Sequence, residues 1–595
     1  MRPIQIFGLS LFILALGAFV AAFSLSQFQL SPASIEAVIA DAEKRATFTE
    51  VAQSQMGQTY GHQFAFVEMV KKLRQQANQK LAAKYGLSDT ETEKILAANP
   101  GTKYQLSTLE MALPKGDPVA DFKLQSVKDY TAWMEGREFA SRTELENNLR
   151  GAIAGLNASV ADQKGFPAYD TKNFLFQITK KSSVGLLVSW QTALVWLIFL
   201  GGALGALLYI YPQRFEGTPG IKNNHIFQSG ITNRGLIGIS VGVFLIVFYI
   251  FLYFYPYYIT NWVRLVDPVS LALNGGEASQ WFLYGFLYTL AILVMGLRMM
   301  VKYRHSPYQI WRSGSVMFFQ TSFAFIIPQV LTVLHLPYMD LKNIWPLDYD
   351  LFTPGRIEGY TQAGLVGYSM LFWGVVLTVV GVPTMTYFFG KRWYCSWVCG
   401  CGGLAETLGD PYRQLSDKSL RAWRVERVLI HSVLVFAVVM TGLMLYTFFT
   451  KSGELLGLQT YKIKEWYGFL ISSIFAGVVG TGFYPFMGSR VWCRFGCPLA
   501  AYLGLVQRFQ SRFRITTNGG QCISCGNCST YCEMGIDVRW YAQRGQNIVR
   551  ASCVGCGICS AVCPRGVLNL ENGPTPGRLN DQPILIGNEG VKVVV

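Results

Sequence analysis

The chain has 595 residues, of which 51% are hydrophobic, and it carries a formal net charge of +15. It is too long for one small domain, and its hydrophobic content predicts a polytopic membrane protein with soluble portions. The basic residues lie mainly beside apolar segments, where they act as topology signals, so the charge does not indicate a nucleic-acid partner. All thirteen cysteines lie at or after Cys395, which favours metal ligation in a reducing compartment over secreted disulfides.

The N-terminal part is predicted to hold a membrane anchor followed by a polar domain. Residues 4–23 form an apolar run after Arg2 and predict a retained anchor over residues 1–29, with a cleaved signal peptide as the alternative. Residues 30–183 show helical periodicity at 34–55, 63–85 and 142–160 and predict a mostly helical domain. This domain has no cysteine, so neither c-type haem nor an iron–sulfur cluster is expected in it. Its only histidine, His62, is interpreted as a surface or packing residue rather than a ligand.

Residues 184–505 are predicted to form a membrane bundle. Seven apolar segments are long enough to span a bilayer, at about 184–211, 236–255, 281–301, 316–336, 365–389, 428–449 and 467–486. The anchor brings the prediction to about eight spans. Lysine and arginine concentrate after alternate spans, as at Arg298, Lys391 and Arg490. This asymmetry predicts a protein of the cell inner (cytoplasmic) membrane, with cytoplasmic termini and with residues 30–183 in the periplasm or another extracytoplasmic space.

The cysteines of residues 506–575 have the spacing of a two-cluster ferredoxin. The spacing C-x2-C-x2-C-x3-C occurs twice, at Cys522, Cys525, Cys528 and Cys532 and at Cys553, Cys556, Cys559 and Cys563. In two-cluster ferredoxins the fourth cysteine of each run serves the other [4Fe-4S] cluster. We therefore expect cluster A on Cys522, Cys525, Cys528 and Cys563, and cluster B on Cys553, Cys556, Cys559 and Cys532. The domain is predicted to be α+β and to be followed by a tail at residues 576–595. Structural zinc is the alternative for paired C-x2-C motifs.

One departure from the ferredoxin pattern concerns the residue after the fourth cysteine of each run. Pro564 follows Cys563, but Glu533 follows Cys532. The change removes a residue that would fix the turn, and it removes no ligand.

Two further cysteine pairs stand at predicted cytoplasmic ends of membrane spans. Cys395 and Cys399 form one C-x3-C motif, and Cys493 and Cys497 form a second one in a similar sequence context. This spacing puts both sulfurs on one face of a helix end. We expect a third iron–sulfur site on these four residues, with Cys401 as a spare or substitute ligand. The alternatives are ordinary buried residues, or thiols with redox or copper chemistry.

The two C-x3-C motifs, the Cys497-Pro498 pair and the double ferredoxin motif resemble the NosR/NapH/CcoG family of membrane polyferredoxins over residues 365–570. The resemblance implies electron transfer at the cytoplasmic membrane, in service of a periplasmic reductase or of metal-centre maturation. The first membrane motif departs from the family, because it reads Cys399-Gly-Cys401 where the family has cysteine–proline. Residues 30–183 lack a flavin attachment motif, so the covalent FMN of NosR is not expected.

Delivery of electrons across the membrane poses a problem, because no redox residue is recognisable on the outer side. The hydrocarbon core is about 30 Å thick, so a quinone, a noncovalent flavin or a partner subunit is expected to carry electrons over that distance. Gln320 and Gln329 are considered for a quinone pocket, although hydrogen bonds between helices are the stronger interpretation. His305 and His431 are considered as a haem pair, and ordinary loop or packing positions are the stronger interpretation for them.

Three functions are therefore weighed. The first is a membrane-bound electron-transfer component of an oxidoreductase system, which exchanges electrons with the quinone pool or redox partner proteins and has no assigned catalytic residue. The second is a cupric reductase or metal-centre assembly factor of the CcoG type. The third is a redox-sensing regulatory membrane protein.

Overall fold

The computed structural model describes residues 2–113, 116–215, 235–572, 585–587 and 590–592, and these are mostly helical. The chain divides into two compact units. One comprises Phe19–Leu194 and Tyr255–Leu265; the other comprises Met1–Ala18, Val195–Phe254 and Val266–Val595. Most of the predicted tail at 576–595 lies outside the described residues; its described part is a hairpin of Leu585–Gly587 and Gly590–Lys592.

The first unit contains the predicted helical domain. Its longer helices are Pro32–Val38, Ala42–Ala52, Gln63–Tyr85, Asp89–Ala98, Pro118–Thr131, Arg142–Gln163 and Thr171–Lys181. The helix predicted at 63–85 is confirmed. The helix predicted at 34–55 is instead two helices, because Asp41 accepts hydrogen bonds from the backbone N–H groups of Glu43 and Lys44 and caps the start of the second.

A small sheet joins the two ends of this domain. Strand Gln27–Gln29 lies between Thr59–Tyr60 and Ser183–Val184 and is antiparallel to both. The first membrane span after this domain was predicted to begin near residue 184. The strand Ser183–Val184 occupies that position, so the long helix begins at Gln191 instead. Gly185, which follows the strand, has a φ of 98°, which glycine adopts readily and which does not belong to a helix.

Seven of the described helices are long and apolar enough to cross a membrane. They are Pro3–Ala22, Gln191–Phe215, Leu236–Phe254, Gln280–Lys302, Pro307–Val333, Gly364–Phe389 and Leu420–Thr450. The span predicted at 467–486 is not among them. There the chain forms Thr460–Tyr467, a π-helical segment Gly468–Val479 and Gly480–Gly482, followed by the separate short helix Tyr484–Met487. The prediction of eight spans is therefore not confirmed.

Four of these helices have one end against residues 512–572. Met299 and Tyr303 share a core with Tyr531, Ile558 and Val562. The Tyr308 hydroxyl donates to Gly555 O at 2.9 Å, the Tyr387 carbonyl accepts from Arg512 N at 2.7 Å, and the Arg550 guanidinium lies 4.7 Å from the Trp423 ring centroid. We call this the proximal end of the bundle. The distal end is formed by the opposite termini of the same helices, Gln280, Val333, Gly364 and Thr450.

The C-terminal domain is built on one antiparallel strand pair and three short helices. Phe513–Thr517 pairs with Leu568–Asn572, and the helices are Asn527–Thr530, Val538–Gln543 and Ile558–Ala561. The first and last of these helices each begin after a glycine with positive φ, 81° at Gly526 and 73° at Gly557. Each glycine lets a cysteine loop turn directly into its helix.

Short helices lie between the long ones, the first two of them at the distal end. They are Asp267–Asn274, Pro354–Gln362, Arg392–Cys395, Gly400–Thr407, Val491–Phe495 and Pro498–Gln510, with a 3-10 turn at Asp410–Leu415. A hairpin of Glu454–Leu455 and Leu458–Gln459 lies beyond the distal end of the Leu420–Thr450 helix.

Candidate metal centres

The eight cysteines of the C-terminal domain separate into two groups of four. One cavity is lined by Cys522, Cys525, Cys528 and Cys563. A second cavity is lined by Cys532, Cys553, Cys556 and Cys559. In each case the fourth cysteine of one run lies with the first three of the other. This is the grouping expected for clusters A and B.

The surroundings of both groups suit iron–sulfur clusters. Backbone N–H groups point at the sulfurs: Ser529 N–H at Cys528, Gly555 N–H at Cys553 and Ile558 N–H at Cys556. Such hydrogen bonds stabilise thiolates and help to set cluster potentials. Burial raises the pKa of Cys528 to about 12 and that of Cys553 to about 11, so these thiols stay protonated until a metal displaces the proton.

The cysteines of the two C-x3-C motifs lie together in one buried core. Cys395, Cys399, Cys493 and Cys497 are each 6 to 7% exposed, and Cys401 packs against the same core. Cys399 and Cys497 both occupy the cap position of the helix that follows, Gly400–Thr407 and Pro498–Gln510. Two sulfurs receive N–H contacts, from Arg490 Nη1 to Cys493 at 3.6 Å and from Ala500 N to Cys497 at 3.4 Å. Cys395 interacts electrostatically with Cys399 and Cys493, and Cys497 interacts with Cys493, Cys395 and Cys399, so the two sequence-distant motifs lie together.

Close packing explains the glycines around Cys401. A Cβ on Gly402 would lie 2.0 Å from the Cys395 carbonyl oxygen, and one on Gly400 would lie 2.6 Å from Gln320 Oε1. A Cβ on Gly403 would lie 2.3 Å from Val316. A larger residue therefore does not fit at any of these three positions. The Gly-Cys-Gly-Gly sequence lets the start of the Gly400–Thr407 helix pack against the Pro307–Val333 helix.

A network of buried charges lies between the C-x3-C site and cluster B. Glu406 forms ion pairs with Arg312 and with Arg490, and it accepts a hydrogen bond from Ser396 Oγ at 3.1 Å. Asp410 binds Arg413 Nε at 2.8 Å, and its other oxygen is 2.7 Å from Lys302 Nζ and 3.1 Å from Arg298 Nη1.

Glu533, the residue that departs from the ferredoxin pattern, is the third carboxylate of this network. It is 1% exposed; its Oε2 accepts from Arg413 Nη1 at 2.8 Å, and its Oε1 lies 3.1 Å from Arg490 Nε in an ion pair without hydrogen-bond geometry. Its backbone carbonyl accepts from Ser416 Oγ at 2.8 Å. Sequence reasoning missed this role, although the replacement of proline by a charged residue was the available signal.

The charges of the network are strongly shifted from their ordinary behaviour. Burial raises the pKa of Asp410, but Lys302, Arg413 and Arg298 outweigh it and hold the pKa well below its usual range. The pKa of Glu533 is likewise lowered, because Arg413, Arg490 and Arg312 outweigh the effect of burial. Three carboxylates thus face five cations, namely Arg298, Lys302, Arg312, Arg413 and Arg490. The excess of positive charge suits an anionic cluster beside it.

Glu406, Glu533 and Cys556 also come close enough together to hold a metal ion. Both carboxylates are already paired with arginine, and Cys556 lines the cavity of cluster B. The three residues are therefore better explained as the contact between the charge network and cluster B.

The remaining candidate residues have ordinary structural partners. His62 is exposed. A ring nitrogen of His305 lies 2.8 Å from Ala561 O, and one of His431 lies 2.6 Å from Arg427 O. Each of these two histidines, considered above as a haem pair, thus contacts a backbone carbonyl oxygen. Gln320 donates to Thr289 Oγ1 at 3.2 Å, and Gln329 accepts from Asn274 at 2.7 Å. These hydrogen bonds between helices confirm the stronger interpretation of the two glutamines.

Comparison with known protein families identifies iron–sulfur domains in this chain. The family described as "4Fe-4S dicluster domain" matches residues 521–568, and the family described as "4Fe-4S binding domain" matches residues 371–420 and again 467–516. These ranges contain all thirteen cysteines. The second family matches twice, once over each C-x3-C motif, in agreement with the repeat seen in the sequence.

One relative among curated proteins is named "Putative electron transport protein YccM", from Escherichia coli (strain K12). It is 26% identical over 203 residues, which cover 31% of this chain and 56% of that protein. The chain thus matches little more than half of the length of this relative. No solved structure matches the chain. Ferredoxin-type 4Fe-4S domains are established by these findings, whereas the narrower NosR/NapH/CcoG resemblance stays a prediction.

Proposed function

We propose that the chain is a membrane-bound electron-transfer protein that carries [4Fe-4S] clusters. The observation that supports this most strongly is the division of eight cysteines into two cavities of four, with the fourth cysteine of each run exchanged. This arrangement is that of two-cluster ferredoxins, whose chemistry is one-electron transfer. The name of the relative described above points in the same direction.

The proposed ligands follow the two cavities. Cys522, Cys525, Cys528 and Cys563 hold cluster A, and Cys553, Cys556, Cys559 and Cys532 hold cluster B. The contribution of the rest of the chain is to bury the clusters and to set their potentials through N–H contacts and nearby charges. For cluster B, Glu533 supplies such a charge, since a carboxylate oxygen of Glu533 lies within 4.8 Å of the Cys556 sulfur.

A third centre is proposed on Cys395, Cys399, Cys493 and Cys497, with Cys401 as the spare ligand. Three observations support it: these cysteines share one buried core, two of them receive N–H contacts, and the family matching both motifs is described as binding 4Fe-4S. Soft thiolates in this number favour an iron–sulfur centre or Cu(I) over hard cations.

The membrane setting of the proposal rests on charge and hydropathy. Arg298, Lys302, Arg312, Lys391 and Arg413 all lie near the proximal end, which favours a cytoplasmic position for that end and for the C-terminal domain. The domain at residues 30–183 is then extracytoplasmic. The quinone pool, a noncovalent flavin or a redox partner protein would exchange electrons with the clusters.

Copper chemistry is retained as a second candidate function because of Cys401. Its thiol is hydrogen-bonded to Cys399, so the C-x3-C site offers an additional soft ligand beyond the four of a cubane. A cupric reductase or assembly factor would use these thiols to bind Cu(I).

The two functions are separated by metal titration of the purified chain. In anaerobic protein with intact clusters, electron transfer predicts no stoichiometric Cu(I) binding and reversible one-electron reduction of every centre by dithionite. Replacement of Cys401 by serine should then leave the spectrum of the reduced protein unchanged. Binding of one Cu(I) per chain that is lost in Cys401→Ser would favour the copper function, and an absence of reducible centres would refute the electron-transfer proposal.

A further inference from the structure

Residues 339–353 form a loop that joins two helices at the distal end of the bundle, and none of its residues is exposed. We call it the buried loop. It contains neither α-helix nor strand, and a backbone of this kind is tolerated at membrane depth only where protein surrounds it or where it lines a cavity. Long loops without secondary structure are commonly functional.

Hydrogen bonds hold the buried loop inside the bundle. Trp373 Nε1 donates to the Leu341 carbonyl oxygen at 2.9 Å, and Trp345 Nε1 donates to Thr441 Oγ1 at 2.9 Å. Thr441 lies well inside the Leu420–Thr450 helix, about 13 Å from its distal end at 1.5 Å per residue. The loop therefore re-enters the bundle and does not lie over its end.

The buried loop reaches the core that contains the C-x3-C cysteines. Ile344 belongs to that core, and Leu347 packs against it. The side chain of Lys342 is 6% exposed, and its ammonium group forms an ion pair with Asp340 at 2.8 Å and interacts electrostatically with Cys399 and Cys401. An ionisable residue inside a membrane bundle is costly, and its presence indicates a functional site.

The cysteine site extends from the loop of cluster B, where Ser396 next to Cys395 donates to Val554 O at 2.8 Å, to the depth of Gly400. Gly400 abuts Gln320, which is the middle residue of the Pro307–Val333 helix. Each half of that helix is about 20 Å long at 1.5 Å per residue. At the proximal end of the helix, Tyr308 and Gln309 donate to the carbonyl oxygens of Gly555 and Cys556 in the loop of cluster B. The cysteine site thus lies between cluster B and the distal end.

We propose that the C-x3-C site is a relay near the middle of the bundle, through which electrons pass between the ferredoxin clusters and the distal end by way of the buried loop. This inference rests on the proposed function, because it requires a redox centre on Cys395, Cys399, Cys493 and Cys497. One electron leaves a reduced cluster of the C-terminal domain, reduces the relay and passes to a one-electron metal centre of a partner protein at the distal end. No covalent bond forms or breaks, and no proton is transferred.

Lys342 acts in this scheme as a positioning residue. Its positive charge interacts with Cys399 and Cys401, and the Arg490 guanidinium lies 3.6 Å from the Cys493 sulfur. Both charges stabilise the centre when it has gained an electron. Removal of the charge at Lys342 should lower the reduction potential of the relay and leave clusters A and B unchanged.

The test is electron transfer across a sealed bilayer. The full chain is reconstituted in phosphatidylcholine vesicles that contain ferricyanide, and dithionite is added outside; neither anion crosses the lipid. The wild-type chain should consume internal ferricyanide at least tenfold faster than protein-free vesicles. Cys399→Ser and Cys493→Ser should reduce the rate to that of the lipid alone. Lys342→Met should slow it at least threefold, and Lys342→Arg should restore it.

A matched control is Lys464→Met, because Lys464 also forms an ion pair with the buried loop, with Asp350 at 3.0 Å, but its side chain is 29% exposed whereas that of Lys342 is 6% exposed. It should leave the rate unchanged. A redox titration followed by EPR supplies the second readout, the potential of the relay in Lys342→Met.

The experiment distinguishes failure of the proposed relay from failure of the proposed third iron–sulfur site. If the wild-type chain contains a third reducible centre that depends on Cys395 and Cys493, yet vesicles with it react no faster than lipid, the relay is refuted and the iron–sulfur assignment stands. If no third centre is present, the proposed third site itself fails. An unchanged rate and potential in Lys342→Met would overturn the role of Lys342.

Discussion

Replacement of Glu533 by glutamine removes one buried negative charge beside cluster B while keeping the shape of the side chain. An oxygen of Glu533 and the sulfur of Cys556 lie within 4.8 Å of one another. At about 5 Å and an effective dielectric constant of about 20, one unit charge is worth about 3 kcal/mol. For a one-electron couple this corresponds to about 130 mV, at 59 mV per tenfold change in equilibrium constant.

This value is an upper limit, because the added electron is spread over the whole cluster. We therefore expect the potential of cluster B to rise in Glu533→Gln by about 50–100 mV. The sign follows from the charge: the reduced cluster is more negative, so loss of a neighbouring carboxylate stabilises it. A redox titration of the purified chain followed by EPR measures the shift, and cluster A serves as a reference within the same molecule.

The control is Glu426→Gln. Glu426 is also buried and accepts from Arg494 Nε at 2.8 Å, but it is not among the residues that line the cavity of cluster B. Both variants should lose stability, by about 3–5 kcal/mol when one partner of a buried pair is removed. Only Glu533→Gln should move the potential of cluster B. A fall in that potential, or an equal shift in both clusters, would refute the reasoning.

Three further predictions follow from the site. Cys532→Ser should abolish the EPR signal of cluster B and Cys563→Ser that of cluster A, each with loss of up to about four irons per chain; the opposite pairing would refute the exchanged ligands. Asp410→Asn should lower the free energy of unfolding by about 3–5 kcal/mol at neutral pH. Because the fold lowers the pKa of Asp410, its stabilisation is complete above about pH 4 and is lost as the pH falls further, so urea unfolding of the wild type and the variant should converge in acid. Gly557→Ala and Gly566→Ala both strain a positive φ, by about 1–2 kcal/mol. Only Gly557 would also place a Cβ 2.9 Å from Tyr308, so only that variant should weaken the signal of cluster B, and equal signals in the two variants would contradict this packing.

The sequence predicted those parts of the site that depend on local spacing. The cysteine runs specify which sulfurs one loop can bring together, and the two cavities group them as expected. The long apolar segments also predicted most of the candidate spans, because length and hydropathy are properties of the segment itself. The segment at 467–486 differs because glycines and a π-helical stretch divide it, and periodicity over so short a run does not reveal such a division.

The features that sequence reasoning missed depend on contacts between distant residues. Glu533 pairs with Arg413 and Arg490, which precede it by 120 and 43 residues, and no local pattern connects them. The buried loop contains Asp340, Lys342 and Asp348, and charged residues of this kind are mostly exposed in proteins. Its burial depends on tertiary packing against Thr441 and the cysteine core, which composition does not encode.

Three redox centres are proposed for this chain, one of them within the membrane bundle. The most direct measurement is iron and acid-labile sulfide per chain in anaerobically purified protein, together with low-temperature EPR of the dithionite-reduced form. Our account predicts about twelve irons, as three clusters of four. About eight irons, with Cys395 and Cys493 free to react with thiol reagents, would contradict the third centre, and zinc in place of iron would contradict the whole account.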